Sequence, residues 1–408
     1  MNISVQRHQR FNSSSGPIPT HIQKGVVLLK SIIKPLTLML LSLIAVQGLA
    51  TQQLEAQEQP TPEQPAQTEP AQRTPEEIAA VIDTYMNEAV KDDQFSGSIL
   101  VARDGLSIIS KGYGKANIEL NVPNTPQTVF RIGSITKQFT GMAIMILQER
   151  GKLKVGDSIC KYLTDCPEAW KPITLRNLLT HTSGIWNYTN ANDFLQTTTQ
   201  PLTKTQVINQ FRKKPLEFVP GEKWNYSNSG YFLLGVVIER ASRQSYETFL
   251  YENIFKPLGM NSTHSDTGYR VVKNLATGYA KMPNGVVIPN PYTSLNVFSD
   301  GALVSTTEDL FLWDQALYTE QLVSKKSLTE IFTPFRSRNN EDFGYGYGWG
   351  IGSMFGNATH SHYGGIFGFT TMITRFPAYR STVIVLTNSS DAPKLRLVEL
   401  YLSAFAGP

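Results

Sequence analysis

A serine and a lysine three residues apart are the most reactive combination in the chain. Ser134 opens a long apolar stretch, and Lys137 follows it. Residues i and i+3 lie on the same side of a helix, so the amine of Lys137 can reach the hydroxyl of Ser134. A serine hydroxyl is a weak nucleophile until a neighbouring base takes its proton, and the free N–H groups at a helix start suit an oxyanion. The pattern indicates nucleophilic catalysis, although a capped helix with a surface lysine explains this motif alone equally well.

A second pair, Tyr226 and Asn228, stands in a turn just before another apolar helix. From such a turn both side chains can point into one cleft. Free lysine and free tyrosine both have pKa values of about 10, so one value must fall if the two act as a base at neutral pH. We expect a cationic Lys137 to lower the pKa of Tyr226. The simpler interpretation is a packed aromatic ring beside a turn asparagine.

A histidine followed by glycines closes a predicted strand near the end of the chain. His362 precedes Gly364 and Gly365, and glycines let a ligand approach the backbone closely. The N–H groups of such a strand end suit an oxyanion. His360 and His362 alternate onto one strand face, but the sequence supplies no third ligand for a metal. The alternative is a glycine-rich turn beside a partly buried histidine.

The elements that must position these groups follow from periodicity. A helix is predicted from the Thr74–Glu77 capping box onward, and the Ser134 helix is apolar nearly all round until about Gly151. Strands are predicted at 97–103 and 106–112, joined by an Asp-Gly hairpin. Further strands are predicted at 344–351, 359–363, 369–376 and 382–388, followed by a helix over 393–405. The fold class is therefore α/β: an antiparallel sheet from both chain ends, flanked by helices, with an inserted all-helical region between them.

The first 50 residues are typical of a targeting segment. They carry five basic residues and no acidic one, followed by an apolar run over residues 36–46 and small residues at 48–50. A cleaved signal peptide and an uncleaved signal anchor both fit this pattern, and either predicts an exported protein, periplasmic or extracellular. Without these five basic residues, the rest of the chain carries 32 basic and 33 acidic residues. This balance gives no electrostatic argument for nucleic acid as a partner, and a membrane is expected only if the leader is an anchor.

Residues 51–73 are rich in Gln, Pro and Glu and are predicted to form a disordered linker. The remaining residues, 74–408, are predicted to form one domain. They include the two cysteines of the chain, Cys160 and Cys166. In an exported protein these form either a local disulfide or two buried thiols.

Together the three motifs, in the order S-x-x-K, Y-x-N and H-x-G, resemble the serine β-lactamase and penicillin-binding protein superfamily. With residues 178–184 (LLTHTSG) and 301–306 (GALVST), the resemblance is to the branch of class C β-lactamases, D-Ala-D-Ala carboxypeptidases, D-aminopeptidases and family VIII esterases. It covers the chain from Ile78 to the C-terminus. It implies an α/β domain plus a helical region, with the active site in the groove between them and no cofactor.

The resemblance also implies a role for each motif residue. Ser134 would be the nucleophile, with Lys137 and Tyr226 as its base pair. Asn228 would position the substrate amide or the lysine. The opposite wall would carry the third motif, where the N–H groups of Ser134 and Gly365 would form the oxyanion hole.

A rival pair, His181 and Ser183, lies in the stretch 178–184. That stretch is structural in the family, and neighbours in one tight turn rarely achieve in-line attack. The chain has no G-x-S-x-G motif, which argues against an α/β-hydrolase.

The third motif departs from the β-lactamases proper, which have lysine where this chain has His362. A lysine offers a fixed charge to the carboxylate of penicillins and D-alanyl peptides, whereas a histidine is mostly neutral at pH 7. We therefore expect an acyl-enzyme hydrolase that prefers esters or D-amino-acid amides and peptides, including peptidoglycan-derived ones. Any β-lactam turnover is expected to rise as the pH falls toward 6. The alternatives are a β-lactamase or D-Ala-D-Ala carboxypeptidase proper, or a non-catalytic penicillin-binding sensor module.

Overall fold

The computed structural model describes residues 73–390, except for 199, 267, 269–270, 283–286, 291–295 and 338–339. The leader, the linker up to residue 72 and the helix predicted over 393–405 lie outside the described residues. The helices in the described part are α1 (Pro75–Lys91), α2 (Thr136–Glu149), α3 (Leu175–Leu179), α4 (Phe194–Thr197), α5 (Lys204–Phe211), α6 (Asn228–Ser242), α7 (Tyr246–Leu250), α8 (Lys256–Leu258), α9 (Thr307–Ala316) and α10 (Lys325–Ile331). The strands are β1 (Gly97–Arg103), β2 (Leu106–Tyr113), β3 (Lys115–Asn117), β4 (Val122–Pro123), β5 (Phe130–Arg131), β6 (His264–Ser265), β7 (Tyr279–Lys281), β8 (Val287–Pro289), β9 (Leu303–Ser305), β10 (Gly350–Met354), β11 (Asn357–Ile366), β12 (Phe369–Phe376) and β13 (Ser381–Thr387).

A six-stranded antiparallel sheet with the order β10-β11-β12-β13-β1-β2 forms the centre of the fold. Strand β13, the last in the described part of the chain, lies between β12 and β1, so that Thr387 pairs with Gly97 on one side and with Thr370 on the other. The two ends of the domain therefore share one sheet. This arrangement confirms the predicted α/β class with an antiparallel sheet built from both chain ends.

Each face of the sheet contributes side chains to a different apolar core, because successive side chains of a strand point to opposite faces. On one face, α1 buries Ile82 and Met86 against a cluster that includes Ile99 and Val101 of β1. On the other face, Leu100 joins a larger core that α2, α6 and α9 complete. The sheet is therefore covered by helices on both sides.

Helix α1 begins where the sequence predicts it. The hydroxyl of Thr74 accepts from the N–H of Glu77, and the Glu77 carboxylate accepts from the N–H of Thr74. This reciprocal pair satisfies two backbone donors that a helix start leaves open. No helix among the described residues has the length and apolarity that a bilayer crossing requires.

The strand predicted over 344–351 is wrong for most of its length, because β10 begins only at Gly350. Gly344 and Gly348 have φ angles of +61° and +83°, a left-handed conformation that interrupts a strand. A Cβ atom at Gly348 would lie 2.5 Å from the main-chain oxygen of Lys137. The glycine-rich segment therefore packs directly against α2 instead of joining the sheet.

The structure joins Cys160 and Cys166 in a disulfide, with their Cα atoms 5.3 Å apart. The bond links the short helical turn Ile159–Lys161, which contains Cys160, to a residue six positions further along the chain. The disulfide in the protein itself stays a prediction, and the mass of the unreduced chain tests it.

Candidate active site

Ser134 lies in a single 3₁₀ turn, Gly133–Ile135, that leads directly into α2. A 3₁₀ helix has three residues per turn, so residues i and i+3 align along its axis. The Nζ atom of Lys137 consequently lies 3.0 Å from the Oγ atom of Ser134. The predicted serine–lysine contact is present in the structure.

The Lys137 amine has three hydrogen-bond partners among the described residues, and only one of them can donate a proton. Besides Ser134, its Nζ atom lies 2.8 Å from the Oδ1 atom of Asn228 and 2.6 Å from the main-chain oxygen of Asp300. These two carbonyl oxygens can only accept. When the amine is neutral, its two remaining hydrogens therefore satisfy Asn228 and Asp300, and its lone pair faces the Ser134 hydroxyl.

Burial changes the proton affinity of Lys137. The side chain has no exposed surface, and desolvation lowers its pKa to about 7, although the Asp300 carboxylate acts in the opposite direction. A substantial fraction of the amine is therefore neutral at physiological pH. A neutral amine facing a serine hydroxyl is suited to act as a general base.

Tyr226 lies beside the amine, with its ring centroid 4.9 Å from the Nζ atom of Lys137. The expected lowering of its pKa is wrong. Burial raises the pKa of Tyr226, and a hydrogen bond with Ser134 offsets this only in part. The phenol is therefore neutral at pH 7, and Lys137 is the group of the pair whose pKa falls into the neutral range.

His181 holds the loop that carries Tyr226. The N–H of Ser227 donates to its Nδ1 atom over 3.1 Å, and the N–H of Asn225 donates to its main-chain oxygen over 3.0 Å. The His181 ring also lies 4.3 Å from the Tyr226 ring, centroid to centroid. Ser183 has a different partner, the N–H of Ile185. The rival serine–histidine pair is thus engaged in separate structural contacts.

Asn228 is the first residue of α6, which Ser227 caps. Its Nδ2 atom donates to the hydroxyl of Thr189 over 3.0 Å, and its N–H donates to the side chain of Asn187 over 3.0 Å. These contacts fix the amide so that its oxygen, not its nitrogen, faces Lys137. In this structure Asn228 positions the lysine.

His362 is buried on β11, on the opposite wall from Tyr226. Its Nδ1 atom lies 2.7 Å from the main-chain oxygen of Tyr363, and its Nε2 atom lies 2.7 Å from the hydroxyl of Tyr345. Because a carbonyl can only accept, Nδ1 carries the proton and Tyr345 donates to Nε2. Burial, with the nearby Lys137, lowers the pKa of His362 to about 3. His362 therefore stays neutral at pH 6, and the expected gain of charge there is wrong.

The neighbouring His360 has different surroundings from His362. Its ring stacks on that of Phe332 at a centroid distance of 4.2 Å. Among the described residues, no group of three or more His, Cys, Asp or Glu side chains is placed to hold a metal ion.

Two glycines bring β11 close to the serine turn. A Cβ atom at Gly364 would lie 2.1 Å from the main-chain oxygen of Ile132, and one at Gly133 would lie 3.0 Å from the nitrogen of Gly365. A Cβ atom at Gly365 would meet nothing within 4 Å. The backbone of Gly364 and Gly365 therefore packs directly against Ile132 and Gly133, the residues that lead into Ser134.

Sequence reasoning missed three residues of this site. Asp300 immediately precedes the stretch 301–306, and an acidic residue beside the apolar run 302–304 is the signal that could have identified it. Tyr188 donates to the Asp300 carboxylate over 2.8 Å. Tyr345 lies within residues 344–351, where alternating glycine and aromatic residues predict a strand. For Tyr188 we find no signal in the sequence.

Comparison with known proteins gives the family. The profile of the Beta-lactamase family matches residues 78–407. The chain is 33% identical over 322 residues to penicillin-binding protein 4* of Bacillus subtilis (strain 168), covering 73% of this chain and 69% of that protein.

Two solved structures share the fold. The octameric penicillin-binding protein homologue from Pyrococcus abyssi has a TM-score of 0.70 at 32% identity, covering 79% of this chain and 76% of that one. A D-stereospecific amidohydrolase from Streptomyces sp. has a TM-score of 0.66 at 25% identity, covering 80% and 98%. The family match, with the serine and lysine of its first motif in contact, leads to one conclusion: the chain belongs to the β-lactamase family and is a serine hydrolase related to penicillin-binding proteins.

Proposed function

We propose that the protein is an exported serine hydrolase that cleaves esters, or amides and peptides of D-amino acids, through an acyl-enzyme on Ser134. The observation that carries this proposal is the contact of 3.0 Å between the Ser134 hydroxyl and a fully buried lysine whose pKa is about 7. The proposal of export is based on the basic residues and the apolar run of the leader. An exported enzyme would meet its substrate outside the cytoplasm.

In the proposed reaction, the Oγ atom of Ser134 attacks the substrate carbonyl carbon while its proton passes to the neutral amine of Lys137. The carbonyl oxygen becomes an oxyanion beside the N–H groups of Ser134 and Gly365. The carbon–oxygen or carbon–nitrogen bond to the leaving group then breaks. The leaving group takes the proton from Lys137 through the neutral phenol of Tyr226. Water then attacks the acyl carbon while its proton passes through Tyr226 to Lys137. The bond from the acyl carbon to the Oγ atom breaks, Ser134 takes the proton back from Lys137, and the carboxylic acid leaves.

The substrate class follows from the neutral histidine of the third motif. His362 is buried and hydrogen-bonded at both ring nitrogens, so it offers a substrate carboxylate no positive charge. Neutral esters and amides lose nothing by this. The D-stereospecific amidohydrolase with the same fold supports D-amino-acid amides within this class.

A second candidate is penicillin binding without efficient turnover. It is favoured by the similarity to penicillin-binding protein 4* of Bacillus subtilis. In this case a penicillin would acylate Ser134, and the acyl-enzyme would persist.

A substrate panel tests the proposal. We expect the purified domain to hydrolyse p-nitrophenyl butyrate or D-phenylalanine amide faster than a cephalosporin at pH 7.5. We expect Ser134→Ala to abolish both this activity and labelling by a fluorophosphonate probe while circular dichroism stays unchanged, because an activated nucleophile contributes many powers of ten in rate. A faster cephalosporin reaction would overturn the substrate class. Absence of labelling in the wild type would favour a non-catalytic binding module.

A further inference from the structure

Asp300 is a buried acid next to the catalytic lysine, and no motif of the chain accounts for it. Only 3% of its surface is exposed. Its main-chain oxygen accepts from Lys137 over 2.6 Å, the shortest of the three contacts of that amine. Its side chain makes a separate set of contacts.

Both carboxylate oxygens of Asp300 accept hydrogen bonds. The Oδ1 atom accepts from the N–H of Phe298 over 3.0 Å, and the Oδ2 atom accepts from the hydroxyl of Tyr188 over 2.8 Å. Hydrogen bonds donated to a carboxylate favour its charged form. Burial still raises the pKa of Asp300 above its usual value, but the nearby Lys137 amine and these two donors act in the opposite direction and offset part of the cost of burying a negative charge.

The loop that carries Asp300 is fixed to the same two helices that carry Lys137 and Asn228. Thr140 of α2 donates to the main-chain oxygen of Ser299 over 2.6 Å. The Ser299 hydroxyl donates to the main-chain oxygen of Tyr231 in α6 over 2.8 Å. The loop therefore cannot shift without disturbing both helices.

Within the described part of the chain, the other titratable groups around Lys137 carry no negative charge at neutral pH. Burial raises the pKa values of the Tyr226 and Tyr231 phenols and lowers those of the His181 and His362 rings. Asp300 is the acid whose charge favours the protonated amine, against the burial that disfavours it.

We propose that Asp300 is a positioning residue: its carbonyl directs the Lys137 amine at Ser134, and its buried carboxylate sets the proton affinity of that amine. The effect of Asp300 on the proton affinity of Lys137 does not depend on the proposed function, whereas its effect on the reaction rate does. Without the carboxylate, burial alone would act on Lys137, and the amine would lose its proton at a lower pH. It would also be a weaker base, because basicity falls with the pKa.

The test follows the titration of Lys137 directly by NMR of protein labelled with ¹³C-lysine, with the resonance assigned by its loss in Lys137→Met. Asp300→Asn removes the charge and keeps both the main-chain carbonyl and an oxygen that accepts from Phe298. Glu168→Gln is the matched control, because it removes one negative charge from a side chain that is 84% exposed. This measurement needs no substrate, so a wrong substrate class does not affect it.

We expect the midpoint of Lys137 to fall by on the order of 1 pH unit in Asp300→Asn and to stay unchanged in Glu168→Gln. The acid limb of kcat/KM for p-nitrophenyl butyrate should move by the same amount, which a merely structural defect would not cause. An unchanged midpoint in Asp300→Asn, or an equal shift in Glu168→Gln, overturns the proposal. If Asp300→Asn does not fold, Asp300→Ser, which is smaller and also uncharged, is judged by the same criterion.

Discussion

Lys137 and Tyr226 contact the same serine hydroxyl, so their contributions to catalysis are expected to be coupled. We expect Lys137→Met to lower kcat/KM for an ester substrate by about a thousandfold or more, since general base catalysis contributes 10²–10⁴ and the buried amine also orients the serine. Tyr226→Phe should cost less, because the phenol is already neutral and only relays a proton. The double variant should lose little more than Lys137→Met alone.

Steady-state kinetics of the four proteins in this cycle measure the coupling. Tyr379→Phe, which removes an exposed phenol on the short turn Pro377–Tyr379, serves as the control and should leave kcat/KM unchanged. Losses that multiply in the double variant would show that the two residues act independently.

His362 is the residue at which substrate preference should be easiest to change. A lysine there would supply a charge to a substrate carboxylate, worth on the order of 4 kcal/mol at about 4 Å before desolvation. We expect His362→Lys to raise the kcat/KM of a cephalosporin relative to p-nitrophenyl butyrate by about tenfold or more. The neutral variant His362→Gln is the control, and an equal change in the two variants would show that charge is not the cause.

At the scale of elements, the close approach of β11 to the serine turn requires a glycine at position 364 but not at position 365. A Cβ atom at Gly364 would lie 2.1 Å from the Ile132 main-chain oxygen and 2.2 Å from the Oγ1 atom of Thr371. We expect Gly364→Ala to lower the free energy of unfolding by about 1–3 kcal/mol or more, because the clash forces the strand away from the turn.

Gly365→Ala is the matched control, since its Cβ atom would meet nothing within 4 Å. Urea denaturation of the two variants measures the difference. Equal stability losses would mean that the contact between β11 and the serine turn does not require Gly364.

Elements with a local signal could be predicted from the sequence. The Thr74–Glu77 capping box marks the start of α1, and the Asp-Gly hairpin signal locates β1 and β2. The segment from Gly344 to Gly348 resembled a strand because aromatic residues alternate there, but its left-handed glycines and its packing on α2 depend on tertiary contacts. The sequence also could not show which of Lys137 and Tyr226 has the lowered pKa, because this depends on how deeply each side chain is buried.

At the scale of the whole molecule, two buried histidines, His181 and His362, and the half-buried His360 should make the fold sensitive to mild acid. Burial lowers the pKa of His181 well below its usual value, that of His360 to about 4 and that of His362 to about 3. In the unfolded chain each is about 6.5. Below pH 6.5 the unfolded state therefore binds more protons, and the free energy of unfolding falls as the pH falls.

By pH 5 His360 and His362 should each have lowered the free energy of unfolding by roughly 2 kcal/mol, and His181 should add to this loss. We expect urea denaturation to show this loss between pH 7.5 and 5. His360→Phe keeps a ring to stack on Phe332 but cannot titrate, so its loss over the same range should be smaller by roughly 2 kcal/mol. An unchanged pH dependence in this variant would contradict the assignment.

The position of β13 between β12 and β1 has a consequence for how the chain acquires its structure. Until residues 381–387 have left the ribosome, the hairpin of β1 and β2 and the meander of β10 to β12 have no strand to join them. Each would then present an unpaired apolar edge, the kind of surface that pairs with other chains. Contacts this distant in sequence also form slowly. A newly made chain therefore stays incompletely folded until β13 has been made, and an incompletely folded polypeptide is one that can be threaded through a membrane channel.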